Sequence, residues 1–165
     1  MPRIGIVGAA LLTCALSGCF GAQTLDGRGR TYVAENAHAF VGRVVGNGNC
    51  VKFVQAAAAV PRTTEWRPGA WVRGNRTIPP GTAIATFEAD GTYTPETGNH
   101  AAIYVSQDGT GIRVYDQWIG QPVHQRVIRF EGGWGAGSGS KSNDGKLFRV
   151  VLAGPGAEVA YNEPE

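Results

Sequence analysis

A chain of 165 residues, 42% of them hydrophobic, carries enough apolar material for one core and too little for two. The formal net charge of +2 comes without a long basic stretch, which excludes nucleic-acid binding driven by phosphate neutralisation. Three separated histidines and three cysteines without a Cys-x-x-Cys form no cluster at metal-ligand spacing, and Gly46-x-Gly48 lacks the lysine of a phosphate loop, so neither metal nor cofactor is expected.

Arg3 precedes an apolar run from Ile4 to Leu16 that is too short to span a bilayer as a mature helix and reads as a secretory signal over 1–18. The run ends in Leu16-Ser17-Gly18-Cys19, which looks like the lipobox of bacterial lipoproteins: aliphatic, small, small, then the cysteine that is acylated before cleavage. Acyl chains on Cys19 would hold the mature protein on a membrane, with 19–30 as a tether. Phe20 stands where a retention aspartate would, so the resemblance to the Gram-negative sorting rule implies the periplasmic face of the outer membrane. The alternative is an ordinary secretory signal in which Cys19 is incidental.

A folded domain is expected over 31–153. Val33, Ala37, Phe40 and Val41 are spaced for a helix within Tyr32 to Val41, on which His38 is a surface residue. Next, Gly46-Asn47-Gly48-Asn49 forms a turn that delivers Cys50 to the start of the apolar run Val51 to Val60, with Asn49 as N-cap and Val51, Val54 and Ala58 on one face. Unpaired N–H groups and the macrodipole at a helix start favour negative charge, so a thiol there ionises below its usual value of about 8.5. Cysteine counting sharpens this: Cys14 leaves with the signal and Cys19 is consumed by lipid. Cys50 is left as a lone thiol in an oxidising compartment, either a nucleophile, or buried and inert, or paired between molecules.

Pro61 to Pro80 is rich in loop residues and holds Trp66 and Trp71, which with Trp118 are candidates for the walls of a substrate groove; core packing is the other reading. Thr82 to Phe87 reads as a buried strand, and after the turn-rich Asp90 to Gly98, Asn99-His100 leads into the strand Ala101 to Val105. Ser106 to Gly111 is the tip of a hairpin whose return strand is Ile112 to Trp118. A tip between Gln107 and Thr110 sets His100 opposite Asp116 or Gln117, and Asp116 is preferred because an anion also stabilises an imidazolium. Gln121 to Arg126 is expected to be a loop with His124 exposed and outside the site, followed by a strand Val127 to Phe130, a glycine-rich loop Glu131 to Gly145, a closing strand Leu147 to Leu152 and a frayed tail over 154–165.

Gly48-Asn49-Cys50-Val51-Lys52-Phe53-Val54, Pro80 to Ala85, Asn99-His100-Ala101-Ala102-Ile103-Tyr104-Val105 and Val114-Tyr115-Asp116-Gln117-Trp118 together resemble the papain-like amidases and peptidases of bacterial cell walls, the CHAP and NlpC-type families. More closely, the chain is similar to a Burkholderia-type group related to the cell-wall amidase effectors of type VI secretion. The resemblance implies an α+β fold, a papain-like cysteine amidase core in which the nucleophile's helix packs on an antiparallel sheet. It implies Cys50 as nucleophile, His100 as general base and acid, and Asp116 or Gln117 as the orienting residue, since the Glu-x-Asn pattern of CHAP domains reads Asp116-Gln117-Trp118 here. The substrate implied is an amide of peptidoglycan peptides, attacked by the thiolate to give a thioester that water hydrolyses. The Cys50 N–H would meet the oxyanion, with Asn47 as the side-chain candidate unless it serves only the turn. An inhibitory or immunity protein is the implied partner. The lipobox fits an enzyme acting on the cell's own wall better than an exported toxin. Two other functions share these residues: a non-catalytic lipoprotein that binds wall peptide or protein, and a thiol acyltransferase.

Overall fold

The computed structural model describes residues 22–24 (backbone only), 30–95, 98–131 and 140–153. The signal, Cys19, most of the tether, 132–139 of the glycine-rich loop and the tail 154–165 lie outside the described residues.

The fold is mostly strand, a single antiparallel sheet carrying one α-helix. Its strands are β1 (Ala22–Thr24), β2 (Arg30–Tyr32), β3 (Arg67–Trp71), β4 (Ala83–Ala85), β5 (Ala101–Gln107), β6 (Gly111–Trp118), β7 (Gln121–Arg129) and β8 (Arg149–Ala153). They run in the order β1-β2-β8-β4-β5-β6-β7, and β3 also pairs with β8. The helix α1 (Cys50–Ala58) lies on one face, against β5 and β6.

Side-chain alternation sorts two cores onto the two faces of the sheet. Phe53, Val54 and Ala57 of α1 meet Ala83, Ala85, Ala101, Ile103, Val151 and Ala153, small residues that let the helix approach closely. On the opposite face Ile84, Ala102, Tyr104, Ile112, Val114, Val150 and Leu152 pack beneath Val72, Ile78, Phe130 and Phe148. Having two covered faces explains why β4, β5 and β8 read as continuous apolar runs. Gly81 is required just before β4: its φ is +92°, and a Cβ would stand 2.4 Å from the Ala34 carbonyl oxygen.

Three expectations are corrected. The segment Tyr32 to Val41 is no helix: it leaves β2 and makes only a 3-10 turn, Ala37–Phe40, where Phe40 packs edge-on against Phe53 at 5.8 Å. The tether is not free of the domain, because β1 and the start of β2 belong to the sheet edge. Gln121 to Arg126 is not a loop. The β6–β7 connection is a tight turn at Ile119 and Gly120 (φ +88°), so Pro122, at the start of an edge strand where it forfeits no ladder bond, is tolerated and β7 runs through His124 and Arg126.

Candidate active site

Cys50 is the first residue of α1, as its sequence neighbourhood predicts. Asn49 caps the helix, its Oδ1 accepting the Val51 N–H at 2.9 Å, while Gly46 and Gly48 take φ of +58° and +83° to turn the chain into the helix start. This turn is fastened from β6: Gln117 accepts the Val45 N–H at 2.9 Å and donates to the carbonyls of Val45 at 2.8 Å and Asn49 at 2.9 Å. Gln117 is therefore wholly spent on the nucleophile's turn. Asn47, the expected oxyanion donor, is exposed and uses its Oδ1 to accept the Asn49 N–H, a turn-forming bond.

His100 stands at the head of β5 and is buried. Its backbone is clamped by Thr86, whose N–H donates to His100 O and whose Oγ1 accepts the His100 N–H, both at 3.0 Å. Thr86 Oγ1 in turn donates to Asn99 Oδ1 at 3.1 Å, and Asn99 Nδ2 to Glu88 Oε1 at 2.6 Å. His100 Nε2 donates to Asp116 Oδ2 at 2.7 Å, and the imidazole also interacts with the Cys50 thiol, whose Sγ lies 3.6 Å from Asn49 Oδ1. The Cys50, His100 and Asp116 side chains thus form one connected line.

The strand register behind this line differs from the expectation. The hairpin closes with Gln107 facing Ile112, and a bulge between Tyr104 and Ser106 then moves the pairing by one so that Ile103 faces Tyr115, which sets residue 100 level with 118 rather than 116. Asp116 reaches His100 on the diagonal, and because side chains alternate across β6 it lies on the His100 side while Gln117 points to the turn. The choice between the two residues left open in the sequence is decided by this alternation.

Asp116 is fully buried, with polar groups of two elements facing it. Its Oδ2 also accepts from Arg126 Nε at 2.8 Å, and His124 Nδ1 lies 3.7 Å from Oδ1. Burial opposes its ionisation, but the hydrogen bond and charge of His100 and the guanidinium of Arg126 hold its carboxyl below the usual range. Burial also disfavours the His100 imidazolium, yet the hydrogen bonds to Asp116 and Cys50 and their charges prevail and raise it to about 9. For Cys50, burial pushes the thiol up; His100 outweighs it, helped by the Ala101 N–H and the Tyr93 hydroxyl at 3.7 Å from Sγ, and the thiol is held below its ordinary value.

Of the three tryptophans, the site receives one. Trp118 is 42% exposed, two residues from Asp116, edge-on to His124 at 4.9 Å and facing Arg126 at 5.2 Å. Trp66 is corrected from groove wall to core: it is fully buried, its indole N–H donates to Pro61 O at 2.9 Å, and its ring backs Tyr93 at 4.9 Å. Trp71 lies on β3 with the Arg149 guanidinium 4.4 Å from its ring. His38, exposed, bonds the Tyr115 hydroxyl at 3.2 Å. Among the described residues no three His, Cys, Asp or Glu side chains group as a metal site.

Tyr93, His124 and Arg126 were not foreseen. Reading Gln121 onward as a strand would have brought this segment alongside Asp116, but the tight turn that pairs Trp118 with Gln121 would by itself set Val123 opposite Asp116; a register shift between Asp116 and Trp118 puts His124 there instead. For Tyr93, inside a turn-rich stretch, the sequence carries no such signal.

The same architecture recurs in a known protein, and the sequence matches a known family. Residues 24–151 match the family model described as domesticated amidase effector 2, and the chain belongs to this amidase effector family. It is 39% identical over 126 residues to the type VI secretion amidase effector 2 protein of Salmonella typhi, an alignment covering 72% of this chain and 90% of that protein. A domesticated amidase effector 2 of Ixodes scapularis is 40% identical over 87 residues, 49% of this chain and 58% of its own length. The solved structure of a type 6 secretion amidase effector 2 superposes with a TM-score of 0.63 at 36% identity, covering 74% of this chain and 95% of that one. The chain is accordingly an enzyme of the hydrolase class.

Proposed function

We propose that this protein is a papain-like cysteine amidase that hydrolyses an amide bond in peptidoglycan peptides. The observation that carries the reading is the continuous line Cys50–His100–Asp116, with the thiol held down and the imidazole held up. Family membership supports the bond class.

In this reading the Cys50 thiolate attacks the amide carbonyl carbon and the C=O electrons move onto oxygen. The Cys50 N–H, with no acceptor inside the helix at this first position, meets the oxyanion, and the Tyr93 hydroxyl beside Sγ is the side-chain donor in place of Asn47. Collapse expels the amine, which takes a proton from the His100 imidazolium. The neutral imidazole then removes a proton from water, which adds to the thioester, and Cys50 leaves as thiolate while the proton stays on His100. Asp116 keeps Nε2 as the donor side throughout, so that Nδ1 faces the thiol. Trp118 with the exposed Ile119 and Val44, both of which flank Gly48, forms the wall along which the wall peptide lies.

Lipidation at Cys19 would place the enzyme on the periplasmic face of the outer membrane, within reach of the wall mesh, and an immunity-type inhibitor would occupy the same cleft. The test is digestion of purified peptidoglycan and its muropeptides beside a Cys50→Ala control, with products read by mass. New amine and carboxyl termini that vanish in the control support the amidase and name the bond; intact muropeptides in both samples overturn it.

A further inference from the structure

Asp116 is held in an unusual way. One oxygen, Oδ2, accepts from both His100 Nε2 and Arg126 Nε, at 2.7 and 2.8 Å, while the other, Oδ1, is buried without a hydrogen bond. A carboxylate pinned through one oxygen is fixed only if both donors on that oxygen stay in place. His100 must be free to give up and take back a proton, so the permanent donor is Arg126.

Arg126 is itself fully engaged. Nη1 donates to Asn143 Oδ1 at 2.8 Å, Nη2 to Ser142 O at 3.2 Å, and the guanidinium carbon lies 5.2 Å from the centre of the Trp118 ring. These bonds use one N–H on each of the three guanidinium nitrogens and tie its orientation to the 3-10 turn Lys141–Asn143 as well as to Asp116. Lys141 of that turn is bound elsewhere, to Glu88 Oε2 at 2.6 Å, on the chain of bonds that runs through Asn99 to Thr86 and the His100 backbone. One short turn therefore braces both the acid and the histidine.

We propose that Arg126 is a positioning residue of the relay: anchored on Asn143 and Ser142, it fixes the Asp116 carboxylate on Oδ2, the oxygen that also takes the His100 bond. The inference rests on the relay proposed above. The charged and titratable groups facing Asp116 are His100 from β5 and His124 and Arg126 from β7, with Cys50 of α1 one bond further on through His100. Arg126 is the permanent cation in this set. Removing it makes proton binding easier at every other member, so the inflections for both Cys50 and His100 move upward.

The test compares the full chain with Arg126→Gln, Arg126→Lys and Asn143→Ala, after thermal melts confirm folding. The pH profiles of kcat/KM on muropeptides and of Cys50 alkylation by iodoacetamide are both recorded. Arg126→Gln is expected to lower kcat between about ten- and a hundredfold at nearly constant KM, with both inflections about one pH unit higher. Arg126→Lys, which keeps the charge but not the fork, should lose kcat while its inflections stay in place. Asn143→Ala, which retains Arg126 but frees one arm, gives a smaller loss of kcat and remains informative if the Arg126 variants do not fold. Wild-type profiles in Arg126→Gln, or a rise in KM alone, overturn the proposal. Failure of the wild-type enzyme on every muropeptide would count against the amidase reading, whereas the alkylation profiles test Arg126 without any substrate.

Discussion

Asp116→Asn changes a single atom in a side chain with no solvent exposure. The amide oxygen can still accept the 2.7 Å bond from His100, but the negative charge is gone, and the Arg126 guanidinium at 2.8 Å is left facing the imidazolium. Burial, which alone would depress the imidazole, is then opposed only by Cys50. The rise of His100 from 6.5 to about 9 corresponds to roughly 3 kcal/mol of preference for the charged form, and the hydrogen bond to Asp116 is the largest of the interactions that raise it. Losing most of that preference returns the resting pair toward thiol and imidazole, and kcat/KM should fall by about a hundredfold at its optimum. Its basic limb should move down from near 9 toward 7 or lower. Breaking a buried charge network costs about 3–5 kcal/mol of stability, so kinetics are read below the melting transition found by calorimetry. A basic limb that stays in place in the Asn variant would refute the claim that the carboxylate sustains the imidazolium.

Further outcomes follow from burial and charge. His100 is raised on folding, so its contribution to stability is complete below about pH 6.5 and is lost as pH rises through about 9; Asp116 is lowered, so its contribution is present above about pH 4 and is lost as pH falls through its depressed value. Cys50, lowered on folding, acts in the opposite sense to His100 on the alkaline side, so the clear expectation is a fall in Tm below about pH 4 that Asp116→Asn abolishes. Trp66→Ala empties a fully buried site and should cost about 3–5 kcal/mol in denaturant unfolding. Trp118→Ala, 42% exposed, should leave stability within about 1 kcal/mol while raising KM on muropeptides. Equal destabilisation by the two changes would contradict the placement of Trp66 in the core and Trp118 on the cleft.

The nucleophile's surroundings were legible in the sequence because they are local. A cap, a glycine turn and a helical stripe are all encoded within about a dozen residues, and Asn49, Cys50 and α1 lie where those signals put them. His100 was legible because a strand start next to a hairpin is also a local feature. What the sequence hid depends on contacts between distant segments. The hairpin tip, closed by Gln107 and Ile112, set a register other than the expected one, and the one-place shift at the Val105 bulge brought Asp116 rather than Gln117 to the His100 side. β3 and the start of β7 carry Pro68, Gly69 and Pro122, residues that read as loop, and become strands because β8 and β6 offer them a ladder. Trp66, in a segment without periodicity, could not be assigned to wall or core until the partner of its indole N–H was known.

The central claim is that Cys50 rests as a thiolate because His100 and Asp116 keep it so, and the most direct measurement is the rate of iodoacetamide alkylation of Cys50 against pH, read by peptide mass mapping. The account predicts an inflection well below the ordinary thiol value of about 8.5 in the native protein, displaced upward in His100→Ala. One inflection near 8.5 in both proteins, or a thiol inert at neutral pH in the native one, would contradict it.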